Sequence, residues 1–434
     1  MAEPGGTAGS LTAEGLRVLV VSGLYPRPGT PRSGLFVHRQ VAALREQGVD
    51  ARVLCPVVRH ALPFRRESEF AATLDSVREE RVEGVPVSYV PYRHVPHRLS
   101  TRLEAASLLR SVRGYAGDVF EERPDVIHAH WLFPAGHAAV ALASEWGVPS
   151  VVTAHGSDVH RYPAENRGVA RFTRRTLRRA DAVVAVCRAL EREIQELVDG
   201  AASVSVIYNG VDTAQFRVAS DRNRSRAAVG LPEAGPGICC VCRLVEEKGV
   251  LELLEAFGRL ASDRPELWLA LVGDGPLREK LRSVALERDV SDRVFLPGGV
   301  PHRDVASWMQ ASDLFALPSH AEGLPVVVLE AMACGLPVVA TDVGGTAEAV
   351  DDRVGRLVPP RDVDRLAEAL DELLEDPGAS RRMGVEGARR VRQRFTWSRS
   401  ARDLARLYAD VAGPGANTAA RERRTATAAD RGRR

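Results

Sequence analysis

Short apolar runs alternate along the chain with longer stretches in which apolar residues recur every three or four positions. The short runs predict β-strands and the longer stretches predict amphipathic helices, an alternation typical of βαβ units with parallel sheets. The predicted strands are 17–22, 51–56, 86–90, 125–130, 150–154, 182–187 and 204–208, followed by 237–242, 267–273, 293–296, 314–318, 337–341 and 355–358. The pattern therefore predicts the α/β class, with two consecutive sheets.

The chain divides into two predicted domains. The segment 220–237 is polar and rich in Gly, Pro and Arg before strand character resumes, so we place the boundary just after Tyr208. The predicted order is a disordered N-terminus at 1–15, domains at 16–208 and 209–394, an amphipathic helix at 395–412 and a disordered tail at 413–434. A cleft between two such domains is the expected ligand site.

The composition narrows the class of protein. The chain has 434 residues, of which 45% are apolar and 27% are charged, as in ordinary globular proteins. The formal net charge of +2 gives no overall field that would attract nucleic acid. The six cysteines have no paired metal-ligand spacing, and we find neither a signal peptide nor a membrane span in the sequence, so we expect a cytoplasmic protein.

The segment from Pro318 to Pro337 predicts a strand, a loop, a short helix and a second strand. Glu330 falls inside this helix among apolar neighbours, where a carboxylate is costly unless donors meet it. The backbone N–H groups at Gly323–Val326 form an anion site at the helix start. A phosphate near these amides and a pair of sugar hydroxyls on Glu330 would satisfy both groups. The alternative is that Glu330 pairs with a buried arginine.

Two further loops of the second domain open at the same edge of its sheet. Arg243 and Lys248 follow the first strand and could clamp a diphosphate, and Lys248 is one of only two lysines in the chain. Surface cations are common, so this signal is weak by itself. Gly273 lies in the next strand-to-helix turn, where a glycine either makes the turn or lets a nucleotide approach.

The first domain offers one histidine in a position typical of ligand binding. His155 follows a predicted strand and precedes a glycine, at the sheet edge where α/β proteins hold ligands. A purely structural histidine is the general alternative, which we favour for His128 and His137 but not for His155. Gly34 lies near the start of the helix predicted at 37–47, where it either lets amides approach a phosphate or only caps the helix.

These residues together resemble a known family. Glu322 and Glu330 are separated by seven residues. With Arg243, Lys248 and His155 they resemble the retaining glycosyltransferases of family 4, and the resemblance spans roughly residues 16 to 410. It implies the GT-B fold, in which two Rossmann-like domains with parallel sheets face each other across a cleft and a C-terminal helix crosses back to the N-terminal domain.

Three segments of the first domain indicate a branch within that family. They are Gly34-Leu-Phe-Val-His-Arg-Gln-Val, Asp125-Val-Ile-His-Ala-His-Trp and Thr153-Ala-His-Gly-Ser-Asp. They are most similar to the teichuronic acid and exopolysaccharide biosynthesis glycosyltransferases.

The resemblance implies a role for each site residue. Glu330 would bind the nucleotide ribose, while Arg243 and Lys248 would hold the diphosphate. Glu322 and the backbone that follows it would contact the donor sugar, which His155 would meet from the other domain, and Val300 would line the base. The implied catalytic residues are His155, Arg243, Lys248 and Glu322, and the implied donor-binding residues are Gly34, Arg243, Lys248, Gly273, Val300, Glu322, Gly323, Leu324, Pro325, Val326 and Glu330.

Two features bear on the chemistry. Many members carry an aromatic residue before a second glycine after Glu322-Gly323, whereas this chain has Leu324-Pro325, which leaves the donor sugar open. The one Asp-x-Asp motif, at Asp362, precedes a predicted helix and is explained as an N-cap. The resemblance therefore implies a front-face retaining reaction that needs no metal and no cofactor besides the nucleotide-sugar co-substrate.

The charge distribution suggests one further partner. Residues 161–192 carry nine arginines against three acidic residues. This excess predicts a basic face that meets anionic lipid or a lipid-linked acceptor at the inner side of the membrane, or equally a solvated helix surface. The expected partners are a nucleotide-sugar donor and a sugar or lipid-linked acceptor, without nucleic acid.

The sequence thus predicts a glycosyltransferase that moves a sugar from a nucleoside diphosphate to an acceptor held by the first domain. A non-catalytic sugar-nucleotide-binding partner of another transferase is the alternative, but it fits less well because the motif residues are all present. An unrelated dinucleotide oxidoreductase would need a Gly-x-Gly-x-x-Gly after strand one, where this chain has Ser22-Gly-Leu-Tyr-Pro.

Overall fold

The computed structural model describes residues 13–60, 69–72, 74, 78–94 and 97–431. They form two compact units. The first contains the chain up to Ala185, residues 191–207 and the chain from Ser398 onward, and the second contains residues 186–190 and 208–397. The N-terminal part of the segment predicted to be disordered at 1–15 lies outside the described residues.

The first unit is built on an eight-stranded sheet with the order β3-β4-β2-β1-β5-β6-β7-β8. All neighbouring strands are parallel except β3 and β4. The strands are β1 (Arg17–Val21), β2 (Asp50–His60), β3 (Arg78–Val82), β4 (Val85–His94), β5 (Val126–His130), β6 (Ser150–Ala154), β7 (Ala182–Ala185) and β8 (Val204–Val206).

Strand β3 is the one strand of this sheet that the hydrophobic pattern does not predict. Its sequence is Arg-Glu-Glu-Arg-Val, and it forms the antiparallel edge of the sheet. Charged residues suit such an edge because they discourage pairing with another chain, but they remove the apolar signal. The central strands β5 and β6, by contrast, are buried along their whole length.

The helices of the first unit cover its sheet. Helix α7 begins with residues that group with the second unit. The helices are α1 (Leu35–Glu46), α2 (Glu69–Ala72), α3 (His97–Val119), α4 (His137–Trp146), α5 (Tyr162–Glu165), α6 (Arg167–Arg179) and α7 (Arg188–Leu197).

The second unit has a six-stranded sheet of order β11-β10-β9-β12-β13-β14, in which every pair is parallel. Its strands are β9 (Gly237–Val241), β10 (Trp268–Val272), β11 (Val294–Gly298), β12 (Leu314–Leu317), β13 (Val338–Thr341) and β14 (Gly355–Val358). Its helices are α8 (Arg222–Val229), α9 (Val250–Asp263), α10 (Arg278–Glu287), α11 (His302–Ala311), α12 (Val326–Ala333), α13 (Thr346–Ala349), α14 (Val363–Glu375) and α15 (Pro377–Arg394). Two units with parallel sheets confirm the predicted fold class.

The last helix, α16 (Trp397–Arg431), returns to the first unit. Gln40 on α1 donates a hydrogen bond to the Ser400 hydroxyl at 3.0 Å, and the Tyr408 hydroxyl lies 2.6 Å from Nδ1 of His128. A helix is predicted at 395–412 and disorder from 413, yet the backbone is helical as far as Arg431, apart from a break at Gly413 with φ of 72°. The segment beyond the break is rich in alanine and arginine, which are strong helix formers.

Candidate active site

Each sheet has one point where the chain reverses the direction in which strands are added. In the second unit, β9 lies between β10 and β12, and the later strands extend the sheet on the side of β12. In the first unit, β1 lies between β2 and β5 in the same way. Ligands of open α/β sheets bind at the carboxyl ends of the strands at such a point. We call these places the second-unit and first-unit switch points.

Two predicted site residues are in contact at the second-unit switch point. Lys248, in a short 3₁₀ turn after β9, donates to Oε1 of Glu322, in the loop after β12, at 2.5 Å. Both side chains are largely buried, with 26% and 12% of their surfaces exposed. The pair fixes the position of the Lys248 ammonium at the carboxyl edge of the sheet.

A histidine that the sequence analysis did not single out joins the same two loops. Nε2 of His320 lies 2.8 Å from Oε1 of Glu252 in the first turn of α9, and its backbone N–H donates to the Glu247 carbonyl at 2.8 Å. The loop after β9 and the loop after β12 are therefore connected by three polar contacts, the Lys248–Glu322 pair among them. This arrangement preorganises the site because neither loop has to be ordered when a ligand arrives.

Helix α12 places Glu330 in a nearly dry environment, with 7% of the residue exposed. Its partner is His302, the first residue of α11, whose Nε2 lies 2.8 Å from Oε1 of Glu330. The alternative of a buried arginine partner is thus wrong. His302 is itself held by Gln215, which donates to its backbone carbonyl at 2.9 Å, and by the ring of Phe216 at 5.2 Å between centroids.

The backbone before α12 leads into the helix start that the sequence predicts. Pro325 is the N-cap and Val326 the first helical residue, while Leu324 is buried at 5% exposure. The Gly323 carbonyl is occupied, since it accepts from the N–H of Gly345 at 2.6 Å. The remaining N–H groups at this helix start are those that an α-helix cannot satisfy internally.

Arg243 and Val300 lie in the loops that follow β9 and β11. Arg243 follows β9 and is exposed, and its guanidinium has no hydrogen bond or ion pair with any residue that the structure describes. Val300 follows β11 and is half-buried, two residues before His302. The structure therefore brings Lys248 and Glu322 into direct contact and links Glu330 to the segment that carries Val300.

Two glycines of the second unit are required by close backbone packing. Gly273 has φ of 150°, and a Cβ there would lie 1.8 Å from the Cys242 carbonyl oxygen. Gly344, which the sequence analysis did not select, has φ of 54° and would place a Cβ 1.9 Å from the Glu322 carbonyl oxygen. Packing against neighbouring loops thus accounts for Gly273 without a ligand, and Gly344 supports the Glu322 loop.

His155 lies near the first-unit switch point, at the end of β6. Its Nε2 is 3.0 Å from Nδ1 of His130, the last residue of β5, and its ring packs against Phe36 of α1 with centroids 4.8 Å apart. Burial lowers the pKa of His155 to about 3. The imidazole is therefore neutral near pH 7 and acts as a hydrogen-bonding group rather than as a cation.

A buried carboxylate fixes the loops around His155. Asp158 is 3% exposed and accepts hydrogen bonds from the N–H groups of His155, Gly156 and Leu132 at 2.9, 3.0 and 3.1 Å. Burial raises the pKa of Asp158, while these donors oppose the rise. Because Leu132 follows β5 and His155 follows β6, this one side chain ties together the carboxyl ends of two strands.

The other predicted features of the first unit have structural partners. His128 is fully buried, with Nε2 2.7 Å from the Thr153 hydroxyl and Nδ1 2.6 Å from that of Tyr408, and burial lowers its pKa to about 3. This geometry fits the structural role expected for it. Gly34 is the N-cap of α1 and has φ of 62°.

No group of three or more His, Cys, Asp or Glu side chains within the described residues is arranged to hold a metal ion. The Asp-x-Asp motif has other partners: Asp362 accepts from the N–H of Arg365 as the N-cap of α14, and Asp364 pairs with Arg259. The same described part of the chain contains no helix that is both long and apolar enough to cross a membrane.

The sequence of this chain matches two families in succession, described as Glycosyltransferase Family 4 over residues 33–215 and Glycosyl transferases group 1 over residues 221–390. It is 34% identical over 361 residues to TuaC of Bacillus subtilis (strain 168), which carries the name of a teichuronic acid biosynthesis glycosyltransferase, and the match covers 82% of this chain and 88% of TuaC. The chain belongs to glycosyltransferase family 4. This membership confirms the family resemblance that the sequence motifs indicated.

Similar solved structures identify the fold of the transferase. Sucrose-phosphate synthase from Thermosynechococcus elongatus superimposes with a TM-score of 0.75 at 22% identity, covering 91% of the transferase and 99% of that chain. HepE of Anabaena, crystallised with UDP-glucose, superimposes with a TM-score of 0.70 at 22% identity, covering 91% and 100%. The transferase has the GT-B fold of these proteins.

Proposed function

We propose that this transferase moves a glycosyl group from a nucleoside-diphosphate sugar to an acceptor, with retention of the anomeric configuration and without a metal ion. The observation that carries the proposal is the second-unit switch point. There Lys248, in the turn after β9, pairs with Glu322, and Glu322, the start of α12 and Glu330 follow one another along the loop and helix after β12. This set offers a cation and backbone N–H groups to phosphates and a carboxylate to ribose hydroxyls.

The diphosphate accounts for the cations. Lys248 is held by Glu322 at the sheet edge, and the exposed guanidinium of Arg243 follows the same strand. When the bond between sugar and phosphate breaks, negative charge grows on the departing oxygen. A fixed ammonium stabilises that charge more in the transition state than in the ground state, because the charge is larger there.

The ribose accounts for Glu330. A carboxylate that is 7% exposed and whose only side-chain partner among the described residues is His302 retains acceptor capacity for two vicinal hydroxyls. His302 fixes the position of one oxygen in the absence of nucleotide. Hydrogen bonds to a charged acceptor contribute about 1.5–3 kcal/mol each, so this contact would anchor the nucleotide.

The first unit supplies a neutral histidine and the acceptor site. His155, with a pKa lowered to about 3 by burial, would donate or accept a hydrogen bond at a sugar hydroxyl. In the proposed front-face reaction, the bond from the anomeric carbon to the phosphate oxygen breaks and a bond to the acceptor oxygen forms on the same face. The acceptor proton passes to the departing phosphate.

Metal independence is proposed because Lys248 and Arg243 already supply positive charge for the diphosphate. In addition, both carboxylates of the Asp-x-Asp motif are engaged, Asp362 with a helix start and Asp364 with Arg259. Retention is proposed from membership of the family. It would be tested by NMR of the product, in which the anomeric proton coupling distinguishes the same configuration from the opposite one.

A polysaccharide precursor or lipid-linked sugar is the proposed acceptor, in keeping with the name of TuaC.

A basic helix face supports contact with an anionic membrane. Helix α6 exposes the guanidinium-bearing residues Arg167, Arg171, Arg174, Arg175, Arg178 and Arg179. Liposome cosedimentation should rise with the anionic lipid content and fall in the variant Arg171→Gln/Arg174→Gln/Arg175→Gln. Binding that does not depend on lipid charge would contradict the membrane contact and would indicate that α6 is only a solvated surface.

The first experiment is thermal stabilisation by UDP, GDP, ADP and TDP, each with EDTA, on the wild type and on Glu330→Ala. A nucleotide at about 100 times its Kd adds about 2.7 kcal/mol to the free energy of unfolding. The proposal expects one nucleotide to stabilise the wild type with EDTA present and to lose most of that effect in the variant. Stabilisation that requires a divalent metal, or that survives in Glu330→Ala, contradicts it.

A further inference from the structure

Two imidazoles meet at the end of β5 and β6 in the first unit. His130 is 1% exposed, and its Nδ1 lies 3.0 Å from Nε2 of the half-buried His155. The rings are nearly parallel, with 22° between their planes. At this distance one proton lies between the two nitrogens, so the tautomers of the two residues depend on each other.

The number of protons in this pair is fixed. Burial lowers the pKa of His130 well below its usual range, and the neighbouring His128 and His155 lower it further. Burial also lowers the pKa of His155 to about 3. Near pH 7 each ring is therefore neutral and carries one proton. Either His130 donates from Nδ1 to Nε2 of His155, or His155 donates from Nε2 to Nδ1 of His130.

The second nitrogen of His130 decides between these arrangements. Its Nε2 is fully buried and has no hydrogen-bond partner among the described residues. If His155 were the donor, the proton of His130 would sit on this Nε2 as a buried N–H without an acceptor, an arrangement that folded proteins rarely contain. If His130 is the donor, Nε2 is an unprotonated nitrogen, and an unsatisfied acceptor is tolerated more often.

The ring of His155 is held in place independently of this hydrogen bond. Phe36 packs against it, and Asp158 fixes its backbone N–H at 2.9 Å. Its Nδ1 has no hydrogen bond to any residue that the structure describes, yet it is not among the buried unsatisfied atoms. With Nε2 occupied as an acceptor, the proton of His155 must lie on Nδ1, which is the nitrogen still available to a ligand.

We propose that His130 is a positioning residue that fixes His155 in the Nδ1–H tautomer, so that His155 presents a hydrogen-bond donor to an oxygen atom of a bound sugar. The identification of the ligand as a sugar rests on the proposed function, whereas the tautomer of His155 does not depend on it. A fixed donor favours an acceptor oxygen that gains negative charge or loses a proton, and it requires no reorientation of the ring during the reaction. His130 itself does not touch the sugar.

The test combines histidine NMR with kinetics on the full chain. Nitrogen-15 labelled histidine reports whether each ring nitrogen carries a proton, and the signals of His155 are assigned by their loss in His155→Gln. His130→Asn keeps an amide donor near the place of Nδ1, whereas His130→Leu removes it. His137→Asn, on α4 of the same unit, is the matched control for loss of a histidine elsewhere.

The expected wild-type spectrum shows His155 protonated at Nδ1 and unprotonated at Nε2. His130→Leu should give averaged signals from both tautomers and lower kcat about 10- to 100-fold, with little change in the donor KM. His130→Asn should restore the wild-type pattern and most of kcat, and His137→Asn should resemble the wild type. Thermal unfolding of each variant identifies any that do not fold.

Two results would overturn the inference: a proton on Nε2 of wild-type His155, or an unchanged tautomer in His130→Leu, whether or not kcat falls in that variant. Loss of the fixed tautomer without any kinetic effect has a different meaning. It would support the positioning by His130 and contradict the role that the proposed function gives to His155. The spectroscopic and kinetic readouts therefore separate the two proposals.

Discussion

The two units of this transferase share one architecture but hold opposite kinds of chemistry at their switch points. In the second unit the strand ends and the helices that follow them carry the ion pair of Lys248 with Glu322 and the hydrogen bond between His302 and Glu330. In the first unit β5 and the residue that follows β6 carry three imidazoles, those of the buried His128 and His130 and of the half-buried His155, and burial lowers the pKa of each.

The difference follows from what each edge is proposed to bind. Phosphates carry charge, and charge is best met by fixed cations and helix N–H groups. Sugar hydroxyls are neutral, and they are best met by neutral donors and acceptors of fixed orientation. The topology creates the two edges in the same way, so the chemistry of each is decided by the residue types at the strand ends and by how far water is excluded from them.

We call the carboxyl edge of the second-unit sheet the charged edge and that of the first-unit sheet the neutral edge. The largest effect expected from a substitution at the charged edge is that of Lys248→Ala. Because charge on the departing phosphate grows during bond cleavage, kcat should fall about 100- to 1000-fold while the Kd for the nucleoside diphosphate rises much less. The chain provides a matched control in Lys280, its only other lysine, which is exposed on α10.

Steady-state kinetics and calorimetric titration with the nucleotide measure both quantities. Lys280→Ala should match the wild type in each. If Lys248→Ala weakened nucleotide binding by the same factor as kcat, the lysine would act in binding the ground state, and its proposed role in the transition state would be wrong.

On the neutral edge, His155→Gln should lower kcat about 10- to 100-fold. Glutamine has no ring to pack against Phe36 beside His130, so its amide is not held in the position of the imidazole. Nucleotide binding should be unchanged, since the proposed nucleotide contacts lie in the second unit. His137→Gln serves as the control. A variant that lost nucleotide affinity and kept kcat would show that the proposed division between charged and neutral edges is wrong.

The fold was largely predictable from the hydrophobic pattern. Strand β6, with the sequence Ser-Val-Val-Thr-Ala, and strand β14, with Gly-Arg-Leu-Val, were predicted with the bounds that the structure gives. The charged edge strand β3 was not, because its sequence carries no apolar alternation. The hydrophobic pattern also gives no periodic signal for α16 beyond Gly413, since helix propensity without an apolar stripe is not periodic.

The candidate site divides in a similar way. Glu322 and Glu330 were singled out because they lie seven residues apart in one motif, and Lys248 because it follows a predicted strand and is one of only two lysines. Their neighbours were not: His302 lies 28 residues from Glu330, His320 lies 68 from Glu252, and His130 lies 25 from His155. Two of these pairs form because neighbouring parallel strands, β9 with β12 and β5 with β6, end at the same edge of a sheet, while His302 meets Glu330 because α11 and α12 pack against each other. No local spacing in the sequence records these meetings.

The histidines predict different acid sensitivity in the two units. In the folded first unit the pKa values of His128 and His155 are lowered to about 3, below the unfolded value of about 6.5. The unfolded state therefore binds more protons as the pH falls from about 6.5 toward 3, and folding stability is lost in that window. Each histidine accounts for about 1.4 kcal/mol per pH unit.

Hydrogen exchange measured between pH 7 and pH 5, corrected for the intrinsic rate, checks this expectation. Peptides covering β5 and β6 should lose protection before those covering β9 and β10. The variant His128→Gln should flatten the pH dependence by the share of one histidine, even if its stability at pH 7 is lower. Equal acid sensitivity of the two sets of peptides would contradict the contrast between the units.

The smallest expected effect is that of His302→Ala on nucleotide binding at the charged edge. If His302 fixes the Glu330 carboxylate for the ribose, His302→Ala should raise the Kd of the nucleoside diphosphate about 5-fold, a loss of about 1 kcal/mol, and leave kcat nearly unchanged. The nucleotide lacking both ribose hydroxyls provides the control, because it cannot use Glu330 and should bind the wild type and the variant equally. Calorimetric titration of both nucleotides measures the difference. Tighter binding of the ordinary nucleotide to His302→Ala would mean that the histidine competes with the ribose for Glu330 instead of positioning it.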